Sequence, residues 1–161
     1  QHVWLRVGHR HCPTGNFKAR QTDDRVWVDE TGRETVAANR GDSQGLSHLR
    51  RAGIDLLVIS REVNAVVTAR CNKLKIPALQ GVLEKGGALR QALAERGTDP
   101  AHVIYVGNDV IDLPCFEIAG WAVAVADAQP DVLRAADYVL SRKGGFGAVR
   151  ELCDLILKRM T

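Results

Sequence analysis

Aromatic side chains are scarce in this chain: three Trp, three Phe and two Tyr among 161 residues. That excludes the interleaved aromatic and basic platform on which single-stranded nucleic acid stacks. An excess of one charge is missing too. The formal net charge is +3, with both signs spread along the chain, too mild to argue for a nucleic-acid partner. No apolar run is long enough to span a bilayer, so no membrane partner is expected. Residues 1–15 hold no apolar signal-peptide core, and the expected compartment is the cytoplasm. Cys12, Cys71, Cys115 and Cys153 lack paired spacing, which argues against a disulfide framework and for buried thiols. His9-Arg10-His11-Cys12 contains zinc-ligand types, but no second ligand pair follows at finger spacing, so a loop or tail is expected there. Repeats, low-complexity tracts and linkers are absent. One domain over residues 1–161 is expected, with an irregular segment at 1–15.

What is present is an alternation of β-type and α-type patterns. The apolar content of 45% and charged content of 25% are those of a globular domain with a real core. Val3–Val7 alternates weakly and reads as a possible strand. Two short β-prone runs around Glu30-Thr31-Gly32-Arg33 read as a hairpin over residues 25–38. Residues 40–45 read as a loop capping a helix that carries Leu46, Leu49 and Ala52. Strands follow at 54–59, 76–79, 103–106, 121–125 and 138–140. Helices are expected at about 64–74, 86–96, 113–120, 131–136 and 148–160, with a flexible loop at Gly144-Gly145-Phe146-Gly147. This order predicts an α/β fold: one Rossmann-like, doubly wound parallel sheet with a protruding β-hairpin.

The run Val103-Ile104-Tyr105-Val106 reads as a buried parallel strand, and Gly107 ends it. Asn108, Asp109 and Asp112 then crowd its carboxyl end, the rim where open α/β sheets bind ligands. Clustered carboxylates hold a cation or stay in solvent. Ser60 follows another strand and Lys85 precedes a helix. A hydroxyl and an ammonium hold phosphate oxygens, and carboxylates hold Mg²⁺, so the set is suited to phosphoryl transfer. The plain readings are a helix cap for Ser60 and Asp112 and a surface position for Lys85.

With these residues in place, the chain resembles the haloacid dehalogenase superfamily. Within it the likeness is to capless 3-deoxy-manno-octulosonate-8-phosphate (KDO-8-phosphate) phosphatases and to the C-terminal domains of acylneuraminate cytidylyltransferases. The matching pieces run from Thr22-Asp23-Asp24 through Val58-Ile59-Ser60, Lys85, Gly107–Pro114 and Ala124–Ala128 to Gly144–Glu151. The resemblance implies that Ser60 binds the transferring phosphoryl group, with Arg61 and Phe146 beside the substrate. It implies that Lys85 neutralises the phosphoryl charge and that Asn108, Asp109 and Asp112 form a Mg²⁺ site. It also implies a homo-oligomer, a tetramer assembled through the hairpin, and a small-molecule ligand of sugar-acid or phosphorylated type.

The family's first motif, Asp-x-Asp-Gly, supplies the nucleophile and the general acid/base. A gapless register puts it on Asn16-Phe17-Lys18-Ala19, with Asn16 at the nucleophile and Lys18 at the acid/base, and no Asp-x-Asp occurs before residue 23. A neutral amide is a poor nucleophile. A fixed ammonium opposes a divalent cation by several kcal/mol at ~4 Å and an effective dielectric of ~20. The sequence-based expectation is therefore a phosphatase-like protein without efficient hydrolysis and without a metal cofactor, its pocket turned to ligand or partner binding or to metal-independent chemistry. The alternative is a Mg²⁺-dependent phosphomonoesterase acting on KDO-8-phosphate or a nonulosonate phosphate, with Asp23 or Asp24 as the displaced nucleophile.

Overall fold

A computed structural model describes residues 3–6, 16–17 and 25–160, the first two segments as backbone strands alone. The elements are β1 (Val3–Arg6), β2 (Asn16–Phe17), β3 (Val26–Val28), β4 (Glu34–Val36), α1 (Arg40–Arg51), β5 (Asp55–Ile59), α2 (Ala65–Leu74) and β6 (Ala78–Leu79). They continue as α3 (Lys85–Glu95), β7 (Val103–Gly107), α4 (Leu113–Phe116), β8 (Trp121–Ala124), α5 (Pro130–Ala135), β9 (Tyr138–Val139) and α6 (Ala148–Met160). The main sheet runs β2-β5-β1-β7-β8-β9, with β6 also on β5; β3 and β4 form a separate hairpin.

Strand pairs β5–β6, β7–β8 and β8–β9 are parallel, as βα alternation requires. β1 departs from the all-parallel expectation: it lies antiparallel to both β5 and β7. The handedness rule constrains parallel strands joined by a crossover, so it sets no requirement on the antiparallel β1. The core is mostly aliphatic, with Tyr105 and Phe116 packed into it, and every residue of β7 is buried. Such two-faced burial is what a continuous β-branched run demands.

Helix α1 corrects the loop expected at residues 40–45. Asn39 caps it, its side-chain oxygen accepting from Asp42 N at 3.2 Å, so the helix begins at Arg40. Gly45 lies against α6: a Cβ there would stand 3.0 Å from Cys153 Cβ. The helix expected over 113–120 is shorter than that. A 3₁₀ turn at Val110–Asp112 leads into α4, and Gly120 N is drawn away to Pro100 O at 2.8 Å. The loop at 144–147 is anchored where flexibility was expected: Gly144 N donates to Asp127 Oδ1 at 2.8 Å and Asn39 Nδ2 to Gly145 O at 3.3 Å.

Asp42 is fully buried between α1 and α6, where its Oδ1 accepts from Arg150 N at 2.9 Å. Burial raises its pKa above the ordinary 3.8. Backbone donors at Arg150 and Gly147 and the charges of Arg70 and Arg142 offset this in part. A raised folded-state pKa gives a stability contribution that is complete below pH 3.8 and is lost as pH rises through the folded value. Asp42→Asn removes that pH term. Its stability relative to the unmodified protein is expected to improve as pH rises from below 3.8 and then level off. Denaturant melts across pH check this, and a difference that is flat or falls with pH would contradict it.

Candidate active site

The carboxyl ends of β5 and β7 open into a cavity of about 420 Å³. Ser60, Arg61, Lys85, Asn108 and Asp109 line it on the sheet side, and the hairpin forms the opposite wall. Position follows from the sheet. Parallel strands β5 and β6 end together, Ser60 N donating to Leu79 O at 2.8 Å. Val82 N then donates to Ser60 O at 3.0 Å.

Ser60 is buried, and its Oγ accepts from Glu62 N at 3.1 Å in a tight serine turn. It does not cap α2; Asn64 does that, its Oδ1 accepting from Val66 N at 2.9 Å. With Oγ as acceptor toward Glu62, the hydroxyl proton is available to an anion in the cavity.

Lys85 opens α3, behind the Glu84 cap. It is buried, contrary to the surface reading, and its Nζ stands 2.9 Å from Asp112 Oδ1, with both side chains at most 1% exposed. Asp112 is the hub of this pair. Oδ1 also accepts from Tyr105 OH at 3.2 Å, while Oδ2 accepts from Asn108 N at 3.0 Å and Asp109 N at 3.3 Å. A buried ion pair persists only when further hydrogen bonds satisfy its remaining lone pairs, and this one has them. Burial, then the Asp112 charge and Cys115, push the Tyr105 phenol well above its usual range, so it stays a proton donor.

The structure therefore divides the acidic group read from the sequence. Asn108 and Asp109 line the cavity; Asp112 turns inward to Lys85. Nor does Asp112 cap α4 with its side chain. Asp109 caps the intervening 3₁₀ turn, its Oδ1 accepting from Val110 N at 2.7 Å. Phe146 is 55% exposed and is not among the residues lining the cavity. Asn16 lies in β2, beside the Phe17–Leu56 pairing. Lys18, Asp23, Asp24 and the His9–Cys12 run lie outside the described residues.

Sequence reasoning missed Tyr105, whose signal was a lone hydroxyl in an otherwise aliphatic strand two residues before Gly107. It also missed Glu34. The spacing of the hairpin carries no sign that this residue reaches Asn64.

Ser60 after β5, Lys85 at the start of α3 and Asn108-Asp109 after β7 converge on one cavity, a donor set that can hold an anion. The chain belongs to the haloacid dehalogenase-like hydrolases, whose family model matches residues 64–150. It is 40% identical over 137 residues to the KDO-8-phosphate phosphatase KdsC of Yersinia pestis, covering 84% of this chain and 73% of that one. Among solved structures, a HAD family hydrolase from Streptomyces avermitilis superposes with TM-score 0.84 at 51% identity, covering 86% and 80% of the two chains. The KDO-8-phosphate phosphatase of Moraxella catarrhalis, solved with magnesium ion, phosphate ion and KDO, gives TM-score 0.84 at 33% identity, covering 88% and 82%.

These likenesses overturn the expectation of a scaffold that has lost hydrolysis. That reading rested on the four residues 16–19. The kinship with phosphatases spans 137 residues at 40% identity. The residues expected to handle phosphate stand together on one cavity. A single motif at residues 16–19 weighed too heavily against the rest.

Proposed function

We propose that this protein is a magnesium-dependent phosphomonoesterase acting on the phosphate ester of an eight- or nine-carbon sugar acid. The observation that carries the reading is the buried Lys85–Asp112 pair, set at the strand ends with Ser60, Asn108 and Asp109 on the same cavity. The named activity of the Yersinia pestis and Moraxella catarrhalis relatives supports the substrate class.

The donor set fits magnesium. Magnesium takes one or two protein oxygens and completes its shell with phosphate oxygens and water. The Asn108 amide oxygen and the Asp109 carboxylate would hold it, and it would neutralise phosphate charge. Ser60 donates its hydroxyl proton to a phosphoryl oxygen, and Lys85, fixed by Asp112, sets positive charge beside it. The attacking carboxylate comes from Asp23 or Asp24, the two acidic residues among the first 24. Its oxygen bonds to phosphorus as the ester P–O bond breaks, the leaving sugar oxygen takes up a proton, and water then hydrolyses the acyl phosphate.

A panel of esters tests this. KDO-8-phosphate and nine-carbon sugar-acid phosphates are expected to be hydrolysed with higher kcat/KM than hexose phosphates, and either Asp23→Asn or Asp24→Asn should abolish turnover. Equal rates across the panel would refute the substrate class. Retained turnover in both variants would refute the nucleophile.

Val26, Trp27 and Val28 are about half or more exposed on the hairpin, which supports self-association, with a tetramer as the reading from the resemblance. A monomer in light scattering would exclude it. Among the described residues no helix is long and apolar enough to cross a membrane.

A further inference from the structure

The hairpin is a stiff unit. β3 and β4 pair through Val26–Val36, Trp27–Thr35 and Val28–Glu34. At the tip, Asp29 Oδ1 accepts from Thr31 N at 2.9 Å, Thr31 Oγ1 at 2.6 Å and Arg33 N at 2.9 Å. Arg25 lies 5.7 Å from the Trp27 ring centroid, a cation–π arrangement on the same strand. Arg25, Val26, Glu34 and Val36 line the cavity, so the hairpin's position sets the cavity's width.

One side chain of the βα core ties to this wall. Asn64 Nδ2 donates to Glu34 Oε2, while its Oδ1 accepts from Val66 N at the start of α2. Asn64 therefore spends its acceptor on the helix and its donor on the hairpin. No other residue type does both at this position: Asp and Ser cap as well, but an ionised Asp has no donor and a Ser side chain is shorter.

We infer that Asn64 is a positioning residue for the cavity, clasping Glu34 so that the hairpin wall stands at a fixed height over the strand ends. The inference rests on the phosphomonoesterase reading for its kinetic consequence, though not for the clasp itself. The clasp discriminates by size. A sugar-acid ester fills the space between Ser60 and the hairpin, whereas a small aryl phosphate presents its phosphoryl group alone.

Three proteins test it: the unmodified chain, Asn64→Asp, and the exchanged pair Glu34→Gln with Asn64→Asp. Asn64→Asp keeps the helix cap, so thermal unfolding by circular dichroism serves as a control for the fold. It removes the donor and sets two carboxylates face to face. The exchanged pair restores a bond of reversed polarity, the new amide donating to the new carboxylate. Hydrogen exchange of residues 26–36 reads the clasp without any activity. It is expected to quicken about tenfold in Asn64→Asp, the scale of losing a charge-assisted bond, and to recover in the exchanged pair. KM for KDO-8-phosphate should rise about tenfold relative to that for p-nitrophenyl phosphate and recover likewise. Unchanged exchange in Asn64→Asp, or an exchanged pair no better than the single variant, would overturn the clasp. Restored exchange without any shift in the KM ratio would overturn its role in the cavity. An unmodified protein that hydrolyses neither ester would sink the phosphomonoesterase reading, while the exchange arm would still decide the clasp.

Discussion

Lys85→Met is expected to lower the unfolding free energy by about 3–5 kcal/mol, because it removes the Lys85 ammonium from beside the buried Asp112 carboxylate. For a domain of this size that is a fall in Tm of roughly 6–20 °C. Turnover should fall by about 10²–10³ as well, the scale of removing one charge-stabilising donor from a phosphoryl site. The two effects separate in the double variant Lys85→Met with Asp112→Asn. Removing the Asp112 charge as well is expected to return much of the stability, since replacing a whole buried pair by neutral groups is often close to neutral. Activity should not return, since no ammonium then faces the phosphoryl group. Differential scanning calorimetry and steady-state kinetics on the three proteins check this. A single variant that melts with the unmodified protein would show that the pair carries no structural weight. A double variant that regains turnover would show that Lys85 has no direct part in the chemistry.

Gly107→Ala is expected to damage the fold and the turnover together. Gly107 ends β7, and a Cβ there would stand 2.8 Å from Asp112 Cβ and 2.9 Å from Phe116 Cε1. Neither neighbour is free to give way. Phe116 is packed edge-to-face against Tyr105 at a centroid distance of 5.9 Å, and Asp112 is held by Lys85, Tyr105 and the amides of Asn108 and Asp109. Overpacking of this kind costs about 1–3 kcal/mol. The added methyl also pushes Asp112 off Lys85 and off the amides of Asn108 and Asp109, so both the phosphate side and the cation side of the cavity shift. The denaturant midpoint and turnover should fall together. A variant as stable and as active as its parent would mean that the crowding at Gly107 does not transmit to the pair.

The legibility of this molecule in its sequence varied with how far the deciding contact lies along the chain. Helix α6 has the ends its amphipathic pattern predicts, and β7 is buried on both faces as its aliphatic run demands. The hairpin was legible because its turn and its pairing are local. Helix α1 began earlier than expected. The cap that starts it, Asn39, also reaches Gly145, 106 residues away, and pattern alone does not show such a contact. The same limit applies at the site. That Ser60, Lys85 and Asn108–Asp112 belong together was readable from strand ends. Which carboxylate faces inward was not, because Asp112 is turned by Lys85, 27 residues earlier, and by Tyr105 inside the strand. Phe146, placed beside the substrate by resemblance, is 55% exposed on an anchored loop. The functional expectation failed for a different reason: it let residues 16–19 outweigh a cavity whose parts are distributed over three separate strand ends.

Release of inorganic phosphate from KDO-8-phosphate by the purified protein, measured with magnesium and again after chelation by EDTA, tests the central claim most directly. Multiple turnovers with magnesium, stopped by the chelator and restored by adding the metal back, are the predicted result. No release above the buffer rate with magnesium, at protein concentrations where the fold is intact by circular dichroism, would contradict it.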